Sequence, residues 1–256
     1  MGLLCVVVWA SAAAAQSTPL HYRNSGDMPP GAIGRAQLQR GGPLPGFFQP
    51  IEILAPAGAL VAMAQQGTFE PTAPTPRRAG ILIGQVYRLK VTQISGNPGI
   101  EVFPTIELID RIYPPRGMET EFPIPIQITK QDLLLAAEGK MVTRVIYLED
   151  PHQALPVAQQ GNEQHWFDVG RGDDPLRAAD ALGRPVAILR MGGLVPDSSG
   201  PDQRFLFGSP PYVPLGSFEE VHHSAPLPYQ PPAAGQLPAP GQLPANEVAP
   251  SERFPR

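Results

Sequence analysis

An all-β fold is what this chain of 256 residues predicts, and three observations carry that expectation. Residues 80–113 hold two stretches in which apolar and polar side chains alternate, joined by Ser95-Gly96-Asn97-Pro98-Gly99. Apolar-rich runs of strand length recur at 122–128, 141–150 and 186–191. Between the runs stand clusters drawn from 34 prolines and 26 glycines, residues that interrupt helices and shape turns.

The first element with a clear pattern is a pair of short strands around Ile51-Glu52-Ile53 and residues 59–64, separated by Pro56-Ala57-Gly58. Residues 70–76 read as an extended, polyproline-like connector. The hairpin follows. Ile81, Ile83, Tyr87, Leu89 and Val91 share one face while Arg88, Lys90 and Thr92 share the other, as a half-buried strand requires. After the turn, Ile100, Val102, Ile106 and Leu108 resume the alternation, and Pro104 marks a bulge or an unpaired side.

In residues 121–129, Phe122, Ile124, Ile126 and Ile128 alternate with Pro123 and Pro125. Prolines two apart remove donors from a single lateral edge, which predicts an edge strand. Thr129 with Asp132 three residues later reads as a helix cap, and Gly139 as the stop. Residues 141–150 carry apolar side chains on both faces, which predicts a central strand. Trp166 to Val169 reads as a short strand, Asp174-Pro175 as the start of a second helix ended by Gly183, and residues 186–191 as a strand, with a further one at 204–207. The expected architecture is therefore an immunoglobulin-like β-sandwich with two short helical crossovers, the alternative being α+β.

Composition sets the flanks. Residues 1–15 hold an apolar run followed by Ala13-Ala14-Ala15, the shape of a signal peptide, although no Lys or Arg precedes the run. Cleavage there would remove Cys5, the sole cysteine, leaving no thiol or disulfide and no transmembrane span in the mature form. Residues 16–46 read as a flexible Pro/Gly-rich leader, 47–215 as the β-sandwich domain and 216–256 as a disordered Pro-rich tail. Location in the periplasm, in the cell envelope or outside the cell follows. Charged residues make up only 16%, the net charge is −4, and Arg77-Arg78 is the one adjacent basic pair, which argues against nucleic acid as a partner.

The runs Gly84-Gln85-Val86-Tyr87-Arg88-Leu89-Lys90-Val91-Thr92 and Val142-Thr143-Arg144-Val145-Ile146-Tyr147-Leu148-Glu149-Asp150-Pro151, with the phrase Pro98-Gly99-Ile100-Glu101-Val102-Phe103-Pro104-Thr105-Ile106-Glu107, resemble uncharacterised secreted proteins of planctomycete-type bacteria. The resemblance spans residues 47–197 and implies an exported envelope protein. It brings no catalytic residues.

The candidate binding cluster is Glu149, Asp150 and His152 with His165, Trp166 and Asp168, where two imidazoles and several carboxylates could meet if the intervening loop folds back. Set against it is the ordinary tendency of polar residues to collect at strand ends. Arg171-Gly172-Asp173 reads as the approach to a helix cap, and His222-His223 as an incidental pair. No phosphate loop, Rossmann glycine pattern, H-E-x-x-H or G-x-S-x-G occurs, so no catalytic residue, cofactor or metal ligand is assigned. The expected function is that of a non-enzymatic envelope module with a protein or polysaccharide partner. A carbohydrate- or metal-dependent hydrolase using the 149–168 loop region is the alternative.

Overall fold

Two sheets share one apolar core, and the side-chain alternation of the sequence is what fills it. The computed structural model describes residues 21, 23–151, 164, 166, 168–197 and 203–216. The first sheet has the order β11-β5-β1-β8, formed by β1 (Phe48–Leu54), β5 (Arg77–Leu82), β8 (Ile124–Gln127) and β11 (Tyr212–Leu215). The second runs β3-β2-β6-β7-β10-β9, from β2 (Leu60–Gln65), β3 (Thr68–Phe69), β6 (Val86–Thr92), β7 (Thr105–Leu108), β9 (Val142–Glu149) and β10 (Gly183–Met191), with β4 (Ala73–Pro74) also paired to β2. Ile51, Ile53, Ile81, Ile124 and Ile126 of the first sheet pack with Val61, Tyr87, Leu89, Ile106 and Leu189 of the second in a single buried cluster. Burial of each such side chain contributes about 1.5–3 kcal/mol, making this cluster the main source of stability.

The mostly-β class thus agrees with the sequence, and so do several details. The expected hairpin is present as β6 and β7, in the middle of the second sheet. Its turn closes with the Asn97 N–H donating to the Ile94 carbonyl, and Gly96 adopts φ +83°. Pro104 causes no bulge: pairing keeps one register from Arg88↔Thr105 to Val91↔Val102, and Pro104 merely accepts from Leu89 without donating back. β8 is an edge strand, paired among the described residues with β1 alone, as the prolines at 123 and 125 lead one to expect.

One expectation about the hairpin is corrected. Residues 80–92 do not form one strand, because the chain changes sheets at Ile83-Gly84, leaving Ile81 in the first and Tyr87 in the second. Gly84 makes the step at φ +76° and donates its N–H to the Leu108 carbonyl. Both halves face the same core, which is why the alternation runs through the break unchanged.

The helices follow their caps. In α2 (Lys130–Ala137) the Thr129 hydroxyl accepts the Asp132 N–H while Asp132 accepts the Thr129 N–H, and Gly139 closes the helix at φ +81°. In α3 (Pro175–Leu182) Asp174 accepts the Leu176 N–H. Leu133 and Ala136 of α2 pack on the inter-sheet core, whereas Leu176 of α3 packs on the opposite face of the second sheet with Ile109 and Ile188.

Two further corrections concern that opposite face. The flexible leader expected over 16–46 is, within residues 23–46, an ordered segment with helix α1 (Ala32–Gln39), whose Ile33 is fully buried against Ile109, Leu176 and Ile188. Composition misleads here because order comes from tertiary contacts. The Gly34 N–H donates to Glu107, and a Cβ on Gly34 would lie 2.7 Å from the Gly84 Cα, so only glycine allows helix and sheet to approach this closely. The second correction is β9, which is not central but the terminal strand of its sheet. Its two apolar faces are explained by Val142 and Ile146 packing on the inter-sheet core and Val145 packing on the helical side. Among the described residues, 166–169 form no strand and 204–207 form a turn, while β11 was not anticipated. The expected signal peptide and His222-His223 lie outside the described residues.

Beneath α1 and α3 lies a buried ion pair. Arg190 Nη1 donates to Glu107 Oε2 at 2.9 Å, Glu107 Oε1 accepts from Gly34, and Arg190 Nη2 donates to the Gly26 carbonyl. Glu107→Gln keeps an acceptor for Gly34 but strands the guanidinium. Urea unfolding should show a loss of about 3–5 kcal/mol, whereas Lys140→Ala, which breaks the exposed pair with Glu138, should cost at most about 1 kcal/mol.

His21 anchors the start of this segment. Its backbone N–H donates to Asp180, and its fully buried ring meets the Asn24 and Gln37 side-chain amides. Burial holds the imidazole pKa below the usual 6.5, outweighing the opposing pull of Asp180. The folded state therefore resists protonation: its full stability holds above pH 6.5 and falls as pH drops through the lowered folded pKa. Thermal unfolding between pH 8 and 5 should show this loss, and His21→Gln should flatten it.

Candidate functional site

The described part of the sequence-predicted cluster lies around β9. Val142, Arg144 and Tyr147 of this strand, Asp132 of α2, Ala178 of α3, and Trp166 line a groove of about 370 Å³. Asp168 and Asp173 also border it. Glu149 and Asp150 do not: Glu149 is exposed at the end of the strand, and the Asp150 N–H donates to the Leu182 carbonyl. His152 and His165 lie outside the described residues, as does Phe167. Among the described residues no three His, Cys, Asp or Glu side chains converge as a metal site would need.

Position in the groove is set by Arg144. Its guanidinium makes a two-pronged contact with Asp132, Nε to Oδ2 at 2.7 Å and Nη2 to Oδ1 at 2.9 Å, and its carbon centre lies 4.7 Å from the Trp166 ring centroid. The carboxylate that caps α2 thus also fixes the cation on which Trp166 stacks. Trp166 keeps 49% of its surface exposed, and Met141, which also lines the groove, keeps 74%. The groove therefore offers two large apolar side chains beside a neutralised ion pair.

Strand geometry gives β9 a second property. The Asp150 N–H points to Leu182, the residue just before β10, and N–H groups two apart in a strand point the same way, so those of Arg144 and Ile146 face β10 while those of Thr143 and Val145 face the outer edge. Among the described residues no strand pairs with that edge. Arg171-Gly172-Asp173 forms the turn before α3, with the Asp173 N–H donating to the Gly170 carbonyl, and it borders the groove only through Asp173.

A second concavity escaped the sequence reading. Arg88, assigned to the solvent face of its strand, is only 6% exposed, because the 203–208 turn covers it. Its Nε donates to the Phe205 carbonyl and its Nη1 to the Phe103 carbonyl, and Phe205 and Phe207 flank the guanidinium at 4.4 and 4.7 Å. Arg88 alternating with Lys90 looks like an ordinary polar face in sequence. Only the proximity of Phe205 and Phe207 to a distant strand distinguishes it.

The chain matches no protein-family model, no curated protein and no solved structure. The class defined by fold and site is thus a mostly-β, two-sheet protein with a helical layer on one face and a groove at one edge.

Asp132 carries both the helix cap and the groove's ion pair. Asp132→Ala should lower the unfolding free energy by about 2–4 kcal/mol in denaturant titrations, and Asp132→Asn, which retains an oxygen for the cap, should lose less.

Proposed function

We propose that this protein is an exported, non-enzymatic module of the cell envelope that serves structure or protein–protein assembly through the edge of β9. The observation that carries this reading is the groove itself: a terminal strand bordered by α2 and α3, with Met141 and Trp166 exposed beside it. An extended segment of an envelope protein is the occupant that suits it. Main-chain pairing to the outward groups of β9 would supply affinity, and contacts with Trp166 and Met141 would supply selectivity. Export rests on the apolar run and alanines of residues 1–15 and on the resemblance to secreted planctomycete-type proteins.

We assign the two-sheet core to the immunoglobulin-like class on one further feature. The passage from β8 through α2 to β9 crosses from the first sheet to the second, as chains of that class do between their sheets. The parallel pairing of β1 with β8 is a local departure from an antiparallel plan. The hydrolase alternative gains no support from the described residues, since Glu149 and Asp150 do not line the groove that Asp168 borders. No helix among the described residues is long and apolar enough to cross a membrane.

The test is photocrosslinking in intact envelopes with the full chain. A crosslinker at Met141 or Trp166 should capture one recurrent envelope protein, while one at Val213, exposed on β11 of the other sheet, should not. Trp166→Ala should weaken that capture by about tenfold. Hydrolytic activity that disappears with alanine at His152 and His165 would overturn the reading, as would equal capture at all three positions.

A further inference from the structure

The outward face of the second sheet carries a row of four polar side chains. Arg88 of β6 is paired with Thr105 of β7, Thr105 with Arg190 of β10, and Arg190 with Thr143 of β9. Residues directly opposite one another on neighbouring strands share a face, so these four side chains stand side by side. All four line one cavity of about 440 Å³, whose other walls are largely apolar and include Met28, Phe103, Met191 and Phe207.

The two arginines differ in how their charge is balanced. Arg190 is paired with Glu107 at 2.9 Å, so that charge is already compensated. Arg88 is equally buried and is held by two backbone carbonyls and two aromatic rings, with Asp197 bordering a neighbouring concavity that Arg88 also lines: its Nε and Nη1 are engaged, and among the described residues Nη2 has no hydrogen-bond partner and no carboxylate forms an ion pair with the group. Desolvation lowers its pKa to about 10, which still leaves the guanidinium charged at neutral pH. A buried cation without an anion is costly, and a carboxylate entering the cavity would offset that cost. The remaining acid on the lining, Asp27, is exposed at the rim.

We propose that this cavity binds an amphipathic monocarboxylic acid, its carboxylate on Arg88 and its hydrocarbon or aromatic body against Met28, Phe103, Met191 and Phe207. The volume lies in the range of small-molecule sites, whose usual build is an apolar lining with few polar anchors. Beside Arg88 Nη2, the buried Arg190 Nε also lacks a hydrogen-bond partner, and so few donors suit the two oxygens of a carboxylate. A phosphate group would call for several converging donors, and the row offers none beyond Arg88 that is both cationic and unneutralised. The cavity shares Met141 and Thr143 with the groove, but its anchor, Arg88, lies on β6 and the inference does not depend on the proposed envelope role.

The experiment is calorimetric titration of the full chain with octanoate and with octanol, which share a chain length and differ in charge. Octanoate should bind at a single saturable site, and octanol at least about tenfold more weakly. Arg88→Met should abolish that preference. Because this variant disturbs a buried side chain, Met141→Glu is made in parallel: Met141 lines the same cavity, is 74% exposed, and would bring a negative charge to the mouth without touching the core. It should weaken octanoate by about tenfold and leave octanol within about twofold. Equal affinity for acid and alcohol, absence of saturable octanoate binding, or unchanged octanoate affinity in Met141→Glu would overturn the proposal.

Discussion

The attachment of the helical layer to the two-sheet core depends on one buried ion pair, Glu107 with Arg190, on the face of the second sheet away from the inter-sheet core. Both charges are almost wholly withdrawn from water, which costs several kcal/mol per ion, and their attraction offsets this only when the remaining polar atoms are also satisfied. Here two of the partners come from the N-terminal segment, the N–H of Gly34 for Glu107 and the carbonyl of Gly26 for Arg190, while Arg190 Nε is left without one. The requirement is mutual. The sheet needs residues 26–34 to satisfy its buried charges, and those residues need the sheet to hold a helix too short to be stable alone.

That requirement shapes the rest of the outer layer. Asp174, which caps α3, also accepts the Gly26 N–H, and Asp180 accepts the N–H of His21, so α3 and the N-terminal segment are fastened to one another as well as to the sheet. Ile33, Ile109, Leu176 and Ile188 then close a second apolar cluster. Where α1 and α3 leave the sheet uncovered, the row from Arg88 to Thr143 is flanked by Phe207 of the 203–208 turn and by Met28, leaving a half-open cavity. Past the row, β9 ends the sheet with an edge and a groove. Both concave features are therefore consequences of a helical layer that covers only part of a six-strand-wide surface.

A second set of contacts ties the sheets at their far side. Glu70, just after β3, accepts the Met63 N–H, pairs with Arg77 of β5, and accepts the Tyr212 hydroxyl of β11. Burial and this bonding raise the Tyr212 pKa to about 12, so the phenol stays a donor throughout the physiological range. Tyr87 acts likewise from the core, accepting the Leu82 N–H and donating to the Pro211 carbonyl, with burial raising its pKa to about 12. Together these two phenols hold β11 in place, a strand whose own sequence, Tyr212-Val213-Pro214-Leu215, carries almost no alternation.

What the sequence by itself determined are the features encoded within a few residues: alternation in β6, β7 and β8, the caps at Thr129 and Asp174, the glycine stop of α2, and the edge character that Pro123 and Pro125 impose. Each rests on local backbone geometry, which neighbouring residues dictate. Of the candidate cluster, Trp166 and Asp168 were legible as polar and aromatic residues after a strand, but their place beside Arg144 was not. What only the tertiary structure decided is everything that depends on residues far apart. Ile81 and Tyr87 share an alternation yet belong to different sheets, β9 is an edge although its composition looks central, and residues 26–39 are ordered although their composition looks like linker. Arg88 looks solvated in sequence and is buried because Phe205, 117 positions away, folds over it. Desolvation and ion pairing act through space, and no periodicity along the chain records them.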